Sequence, residues 1–277
     1  MSAHIKKKVV ETDILSFDYG FCTHIGQRQH NQDEVLVPSA PGTLNGCGKL
    51  FAVADGMGGH SGGGIASRMA CDSLNDFDKR NIRRKGKQKP ADISRHLVEA
   101  VFRIDRTLRL HGIRDSKLEN MGTTLSSLII IDSYSVIAHV GDSRIYRLRK
   151  GHLSCLTVDH TFVQDMIFEG EVEPAQARLH PFRHMLTRAV GGGESLELVD
   201  ARIDRLKPND SFLLCTDGLY NTIAERDVLD SLVKQAIAAN TASELVAKAL
   251  KNDARDNVTA IVVKITSTGS GYQNQGQ

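Results

Sequence analysis

No run in this 277-residue chain approaches the roughly 18 consecutive apolar residues that a membrane helix needs. The opening, Met1 to Phe17, carries Lys6, Lys7 and Lys8 but has neither a long apolar segment nor a small-residue cleavage site, so no export signal is expected. Cysteine is sparse as well. The five residues (Cys22, Cys47, Cys71, Cys155 and Cys215) are odd in number, scattered and free of any CxxC pair, which argues against a disulfide framework and a zinc knuckle. The expectation is a soluble protein of the reducing cytoplasm. A broad excess of one charge is also missing, because 35 basic residues face 33 acidic ones. The stretch Lys79 to Lys89 alone holds seven basic residues and no acid, so the basic character is one local patch. A nucleic-acid enzyme would spread positive charge along a binding face, and none is expected here. The patch reads as a solvated loop, with docking of an acidic partner as the alternative.

What is present suits a globular core. Adding 24 glycines to a 40% hydrophobic fraction brings the chain to about half apolar, the usual share for soluble domains. Short apolar runs punctuated by Gly, Asp and Asn predict strands at Phe17–Thr23, Lys49–Ala54, Thr124–Ile131, Ser135–Val140, Arg144–Arg149, His152–Leu156, Glu197–Ile203, Ser211–Cys215 and Val258–Ile265. Helical spacing predicts Gly63–Asp76, Ile93–Leu110, Thr161–Phe168, Ala224–Ala239 and Ala242–Asn252. In the second of these, Ile93, Leu97, Val98, Val101, Ile104 and Leu108 recur at the three and four spacing of one buried face. Strands mixed with helix pairs, without regular βαβ alternation, point to a layered α+β domain. The expected division is a segment 1–15, a domain 16–266 and a polar, disordered tail 267–277.

Acids stand at the ends of these runs. Leu50-Phe51-Ala52-Val53-Ala54 ends at Asp55, Val136 to Val140 ends in Gly141-Asp142, Phe212 to Thr216 ends at Asp217, and Asp256-Asn257 opens the last run. One such Asp is an ordinary turn residue. Four at converging sheet ends would raise one another's pKa unless a cation neutralised them, and all-oxygen ligands select Mg²⁺ or Mn²⁺ over zinc. Arg28, within Gly26-Gln27-Arg28-Gln29-His30-Asn31-Gln32-Asp33, offers a planar fork suited to phosphate.

The ordered set Arg28 with Asn31-Gln32-Asp33, Asp55-Gly56-Met57-Gly58-Gly59-His60, Gly122-Thr123-Thr124, Gly141-Asp142-Ser143-Arg144, Leu186-Thr187-Arg188-Ala189-Val190-Gly191, Cys215-Thr216-Asp217-Gly218 and Asp256-Asn257-Val258-Thr259 resembles the metal-dependent Ser/Thr protein phosphatases of type 2C, in their bacterial form. The resemblance covers about Gly20 to Val263. It implies an α+β, four-layer αββα sandwich with Mn²⁺ or Mg²⁺ in a cleft at one end of two antiparallel sheets: two ions, with a third as an option. By position, Asp55 would bridge two ions with the Gly56 carbonyl on the second, and Asp217 and Asp256 would complete the first site. Asp33 would hold metal-bound waters, and Asp142 would share a third, weaker ion with Asp217. Arg28 would bind the substrate phosphate while a metal-bridging water attacks phosphorus. Met57 stands where the eukaryotic pattern has a His assigned as general acid, which leaves His60 as a candidate acid or an exposed substrate contact. His160 to Pro181 falls where the family carries its flap. By the same resemblance the partners are phosphorylated proteins, a cognate Ser/Thr kinase or a forkhead-associated-domain protein, with type VI secretion control as one setting; a monomer with no membrane or nucleic-acid partner is expected.

Three other motifs compete. Cys22 to Arg28 has the C-x5-R spacing of cysteine-dependent phosphatases, but that chemistry needs a depressed thiol pKa and a loop rich in backbone donors, and Cys22 follows the apolar Phe21. Gly56 to Ser61 lacks the third glycine of a dinucleotide fingerprint. Gly46-Cys47-Gly48-Lys49 has Thr43 in the first glycine position of a phosphate-binding loop and Leu50 where it needs Ser or Thr. A pseudophosphatase acting as a binding module would have lost acids that are all present.

Overall fold

Along one central strand Phe51 and Val53 face one core while Leu50, Ala52 and Ala54 face another. Period-two alternation with both faces apolar means a strand buried on both sides. The computed structural model describes residues 14–44, 48–58, 62–82 and 88–268. In chain order, β1 (Ile14–His24), β2 (Asp33–Leu36), β3 (Gly42–Thr43) and β4 (Lys49–Met57) lead into α1 (Gly62–Phe77) and α2 (Pro90–Arg114). Strands β5 (Gly122–Thr123), β6 (Leu125–Ile131), β7 (Tyr134–Val140), β8 (Arg144–Arg149) and β9 (His152–Cys155) follow, then α3 (Phe162–Phe168), β10 (Val190–Gly191), β11 (Asp200–Arg205) and β12 (Ser211–Cys215). Helices α4 (Asp217–Tyr220), α5 (Glu225–Lys234) and α6 (Ala238–Lys251) precede β13 (Val258–Thr268).

The strands form two antiparallel sheets. One has the order β3-β1-β13-β12-β8-β9, and the other runs β10-β5-β4-β6-β7-β11 with β2 added beside β4. The first and last strands, β1 and β13, pair over their whole length, from Ile14 opposite Thr268 to His24 opposite Val258. Three cores separate four layers. Leu50, Ala52 and Ala54 of β4 meet Ala66, Ala70 and Leu74 of α1 and Leu97 and Ile104 of α2. Between the sheets, Phe51 and Val53 meet Phe212 and Leu214 of β12 and Ile261 and Val263 of β13. On the far side, Leu213 and Val262 pack against Leu232 of α5 and Leu245, Val246 and Ala249 of α6. Phe51 has no exposed surface, and its truncation to Ala would cost about 3–5 kcal/mol. This is the αββα sandwich the motifs imply.

Boundaries moved where distant residues intervene. The expected strand Glu197–Ile203 is observed at Asp200–Arg205, paired with β7 from His139 to Tyr134. The expected helix Ala224–Ala239 stops at Lys234. Lys264 of β13 donates to the Leu232 and Gln235 carbonyls at the end of α5, and Asp18 of β1 accepts the Ala238 N–H at the start of α6, 3.1 Å away. Both orphaned helix ends are thereby satisfied from the sheet. Pro90 stands at the first turn of α2, where its missing N–H is no loss. Strand β13 runs to Thr268, two residues into the expected tail; residues 1–13, 269–277 and the middle of the basic stretch, 83–87, lie outside the described residues.

Candidate functional site

The two sheets converge on a cleft of about 1110 Å³ whose wall includes Arg28, Asp55, Gly56, Asp142, Asp217 and Asp256. Pairing of β2 with β4 sets Asp33 directly opposite Asp55. Like charges in that register repel, so both cannot be ionised there without compensation.

Asp33, 8% exposed, is held by hydroxyls. Its Oδ2 accepts from Thr216 Oγ1 at 2.8 Å and Thr259 Oγ1 at 2.6 Å. Because Thr259 gives its hydrogen to Asp33, the 2.8 Å bond with Thr23 runs from the Thr23 hydroxyl, which in turn accepts from Asn31 Nδ2 at 2.9 Å. The other oxygen, Oδ1, is buried without a partner. Burial raises the Asp33 pKa to about 7, opposed by Thr259 and Thr216 and assisted by Asp217 and Asp256. Asp55 is driven well above the carboxylate range, first by burial and then by Asp33, Asp217, Asp142 and Asp256. Asp142 is raised by burial and by Asp217 and Asp159, with Arg144 opposing. Asp217 Oδ2 receives Asn221 Nδ2 at 3.3 Å and lies 3.5 Å from His184 Nδ1, while its Oδ1 is buried and unpartnered. Asp256 Oδ2 accepts from Arg28 at 2.6 Å.

The surrounding loops are built for close approach. A Cβ on Gly56 would stand 2.1 Å from the Gly63 carbonyl oxygen at the start of α1, and one on Gly218 would stand 2.0 Å from that of Asn257. Asp55 is fixed at its backbone, its N–H donating to Thr124 Oγ1 and its carbonyl accepting from Thr123 Oγ1 and the Thr124 N–H, all at 2.9 Å. Asn257 ties the Arg28 turn down: its Oδ1 accepts the Gln32 N–H at 2.8 Å, and its Nδ2 donates to the Ile25 and His30 carbonyls at 2.9 and 3.0 Å. Arg144, stacked 3.8 Å over the Tyr220 ring and forked onto Asp159, supports the Asp142 loop, since Tyr220 donates to the Asp142 carbonyl at 3.0 Å.

Among the described residues no group of three or more His, Cys, Asp or Glu side chains stands ready-made as a metal cage. The acids line an open cleft instead, with Arg28 and His184 resting on two of them. Two features nevertheless fit a hard divalent cation: the orphaned oxygens of Asp33 and Asp217, and the raised pKa of Asp33, Asp55 and Asp142, whose charge burial and neighbouring acids disfavour. The sequence-predicted residues Arg28, Asp33, Asp55, Gly56, Asp142, Asp217 and Asp256 thus come together at one end of the sandwich. His60 lies outside the described residues. His184 and the hydroxyl pair Thr216 and Thr259 had no local signal, because their roles follow from partners far along the chain. Cys22 does not line the cleft. It packs on the helix side of β1, where burial raises its thiol pKa, which leaves the C-x5-R spacing without a nucleophile.

Comparison with known proteins agrees with this geometry. The protein phosphatase 2C family model matches residues 22–253. The serine/threonine protein phosphatase PstP of Mycobacterium tuberculosis is 32% identical over 244 residues, 88% of this chain and 44% of that protein; the chain therefore spans less than half of that relative's length. The serine/threonine phosphatase stp of Listeria monocytogenes is 34% identical over 222 residues, 80% of this chain and 86% of that one. Among solved structures, the catalytic domain of PstP in complex with two manganese ions superposes with a TM-score of 0.77 at 30% identity, covering 91% of this chain and all of that one. PppA, described as a key regulatory component of type VI secretion in Pseudomonas aeruginosa, superposes with a TM-score of 0.75 at 30% identity, covering 90% of this chain and 97% of that one. With the matched family model, these relatives and the shared sandwich, the chain belongs to the protein phosphatase 2C family, alongside its bacterial serine/threonine phosphatases.

Proposed function

We propose that this protein hydrolyses phosphoserine and phosphothreonine in proteins with the help of Mn²⁺ or Mg²⁺. The observation that carries the reading is the cluster of Asp33, Asp55, Asp142, Asp217 and Asp256, which includes two buried oxygens that have no partner and three carboxyls whose pKa burial and neighbouring acids raise. Asp55, the Gly56 carbonyl, Asp217 and Asp256 would hold two ions; Asp33 would orient water around them, and Asp142 with Asp217 would take a third. When bound, the ions supply charge neutralisation and an activated water as nucleophile.

The chain's own residues supply position. Arg28 is half exposed and bonded to Asp256, so its fork stands at the cleft and would turn to the substrate phosphate as the ions engage that carboxylate. Asn257 and Thr124 hold the two loops in place, so the donors need little rearrangement when charge develops on phosphate. His60 remains the candidate for protonating the leaving oxygen. The relatives' names favour protein substrates carrying phosphoserine or phosphothreonine; a Ser/Thr kinase is the class of enzyme that would supply them, and the PppA likeness favours secretion control as one setting.

The test is hydrolysis of an aryl phosphate and a phosphothreonine peptide with added Mn²⁺, with chelator and with a thiol alkylating agent. Activity that needs Mn²⁺ and survives alkylation is expected. Activity that survives chelation and dies on alkylation would refute the reading in favour of Cys22.

A further inference from the structure

We propose that Arg255 selects substrates that carry a second anionic group, a carboxylate or another phosphate, beside the phosphorylated residue. The inference rests on the phosphatase reading above and adds a specificity residue to it. Arg255 lines the same cleft as the aspartates, on the wall shared with Thr222, Asn252 and Asp256. Its backbone is rigidly placed. Neighbouring Ala254 is 3% exposed and Asn257 5% exposed, and the three Asn257 hydrogen bonds lock this turn to the Arg28 turn. Gly26 completes the lock, since a Cβ there would stand 1.9 Å from the Asp256 carbonyl oxygen.

The acids of that wall already have hydrogen-bond donors, and among the described residues one basic group has no acceptor. Arg28 is bound to Asp256 at 2.6 Å, and Asp253 accepts from Gln27 Nε2 at 2.5 Å. Arg255 is exposed and has no ion-pair or hydrogen-bond partner among the described residues. Of its lining neighbours, Asn221, Thr222 and Asn252 are neutral, and the acids Asp253 and Asp256 on either side of it in the chain bond Gln27 and Arg28. A guanidinium held on a fixed turn beside the phosphate site, and not spent on an internal acid, is set to meet an anion brought by the substrate, in the forked geometry that carboxylate and phosphate both accept. Arg28 would serve the reacting phosphate and Arg255 the group next to it.

Three phosphothreonine peptides alike except for the flanking residue (Glu, a second phosphothreonine, or Gln) test this with the full chain and Mn²⁺. The unsubstituted protein is expected to favour the anionic flanks over Gln by about threefold to fivefold in kcat/KM, as an exposed ion pair allows, through KM and not kcat. R255Q is expected to bring the ratio to about one, and R255E to invert it. Preference for both anionic peptides means that either source is read, and preference for one identifies the source. A ratio near one in the unsubstituted protein, or one that persists in R255Q, overturns the proposal. Should R255Q fail to fold, the ionic-strength dependence decides: the preference must shrink as salt screens the pair, and an unchanged preference overturns the proposal. An aryl phosphate has no flanking residue and separates the two readings. If it is not hydrolysed with Mn²⁺, the phosphatase reading falls and this inference with it; hydrolysis without any preference among the peptides removes this inference alone.

Discussion

Asp33→Asn is expected to stabilise the chelated protein while it lowers Mn²⁺-dependent activity. Burial is the main cause of the raised Asp33 pKa, about 7 against 3.8 in water. A carboxyl with a higher pKa folded than unfolded supports the fold fully below the unfolded value, and that support is lost as pH rises through about 7. At about 1.4 kcal/mol per tenfold difference in proton affinity, the ionised group costs the chelated fold up to about 4 kcal/mol at pH 8. Asn retains a carbonyl for the Thr216 and Thr259 hydroxyls and, like the protonated acid, is neutral. It carries no charge to desolvate. With about 2–4 °C per kcal/mol for a chain of this size, Tm in EDTA should rise by up to roughly 8–16 °C at pH 8, and the gain should fade towards about pH 4. Added Mn²⁺ should stabilise the unsubstituted protein more than the variant, since only ligand bound to the native state raises Tm. Thermal denaturation followed by circular dichroism across pH, with EDTA or Mn²⁺, reads all of this. A variant that melts at or below the unsubstituted protein at pH 8, or a gain of equal size at every pH, would refute the account of the acid cluster.

Asp55→Ala and Asp217→Ala should each lower Mn²⁺-dependent kcat by at least about a thousandfold, as expected when electrostatic preorganisation is removed; initial-rate assays on folded protein decide, and substantial residual activity would remove these acids from the site. Cys22→Ser should retain nearly full activity, because the thiol faces α6 and not the cleft; a folded but inactive variant would restore the thiol mechanism. Gly56→Ala should destabilise by about 1–3 kcal/mol or more, since its Cβ would stand 2.1 Å from the Gly63 carbonyl oxygen and 2.9 Å from that of Gln32. Urea unfolding measures it, and an unchanged midpoint would mean the β4–α1 approach is looser than described.

Much of this protein follows from local pattern. Alternation such as Leu50 to Ala54 reports a strand buried on both faces, the 93–108 stripe reports a helix on a core, and an acid ending a buried run marks the mouth of a sheet; each is a consequence of side-chain period and needs no distant partner. That is why Asp55, Asp142, Asp217 and Asp256 were legible as a candidate metal centre, and Arg28 as a phosphate fork. Strand β2 was not, because four residues, one buried and three half-buried, carry too little period to register. Only the tertiary structure set Asp33 opposite Asp55, turned Thr216 and Thr259 onto one carboxylate oxygen and left the other bare, and brought His184 to Asp217 and Arg255 to the cleft wall. It also broke α5 from α6 at Gln235–Ile237, where Lys264 and Asp18 satisfy the helix ends from strands more than two dozen and more than two hundred residues away in sequence. The sequence by itself determined which residues are buried and which must stand at element ends, because those preferences act within a few residues. Which acids share a site, and which of their oxygens are left without a partner, was decided by pairing between the two ends of the chain, where β13 lies along β1 and no local signal reaches.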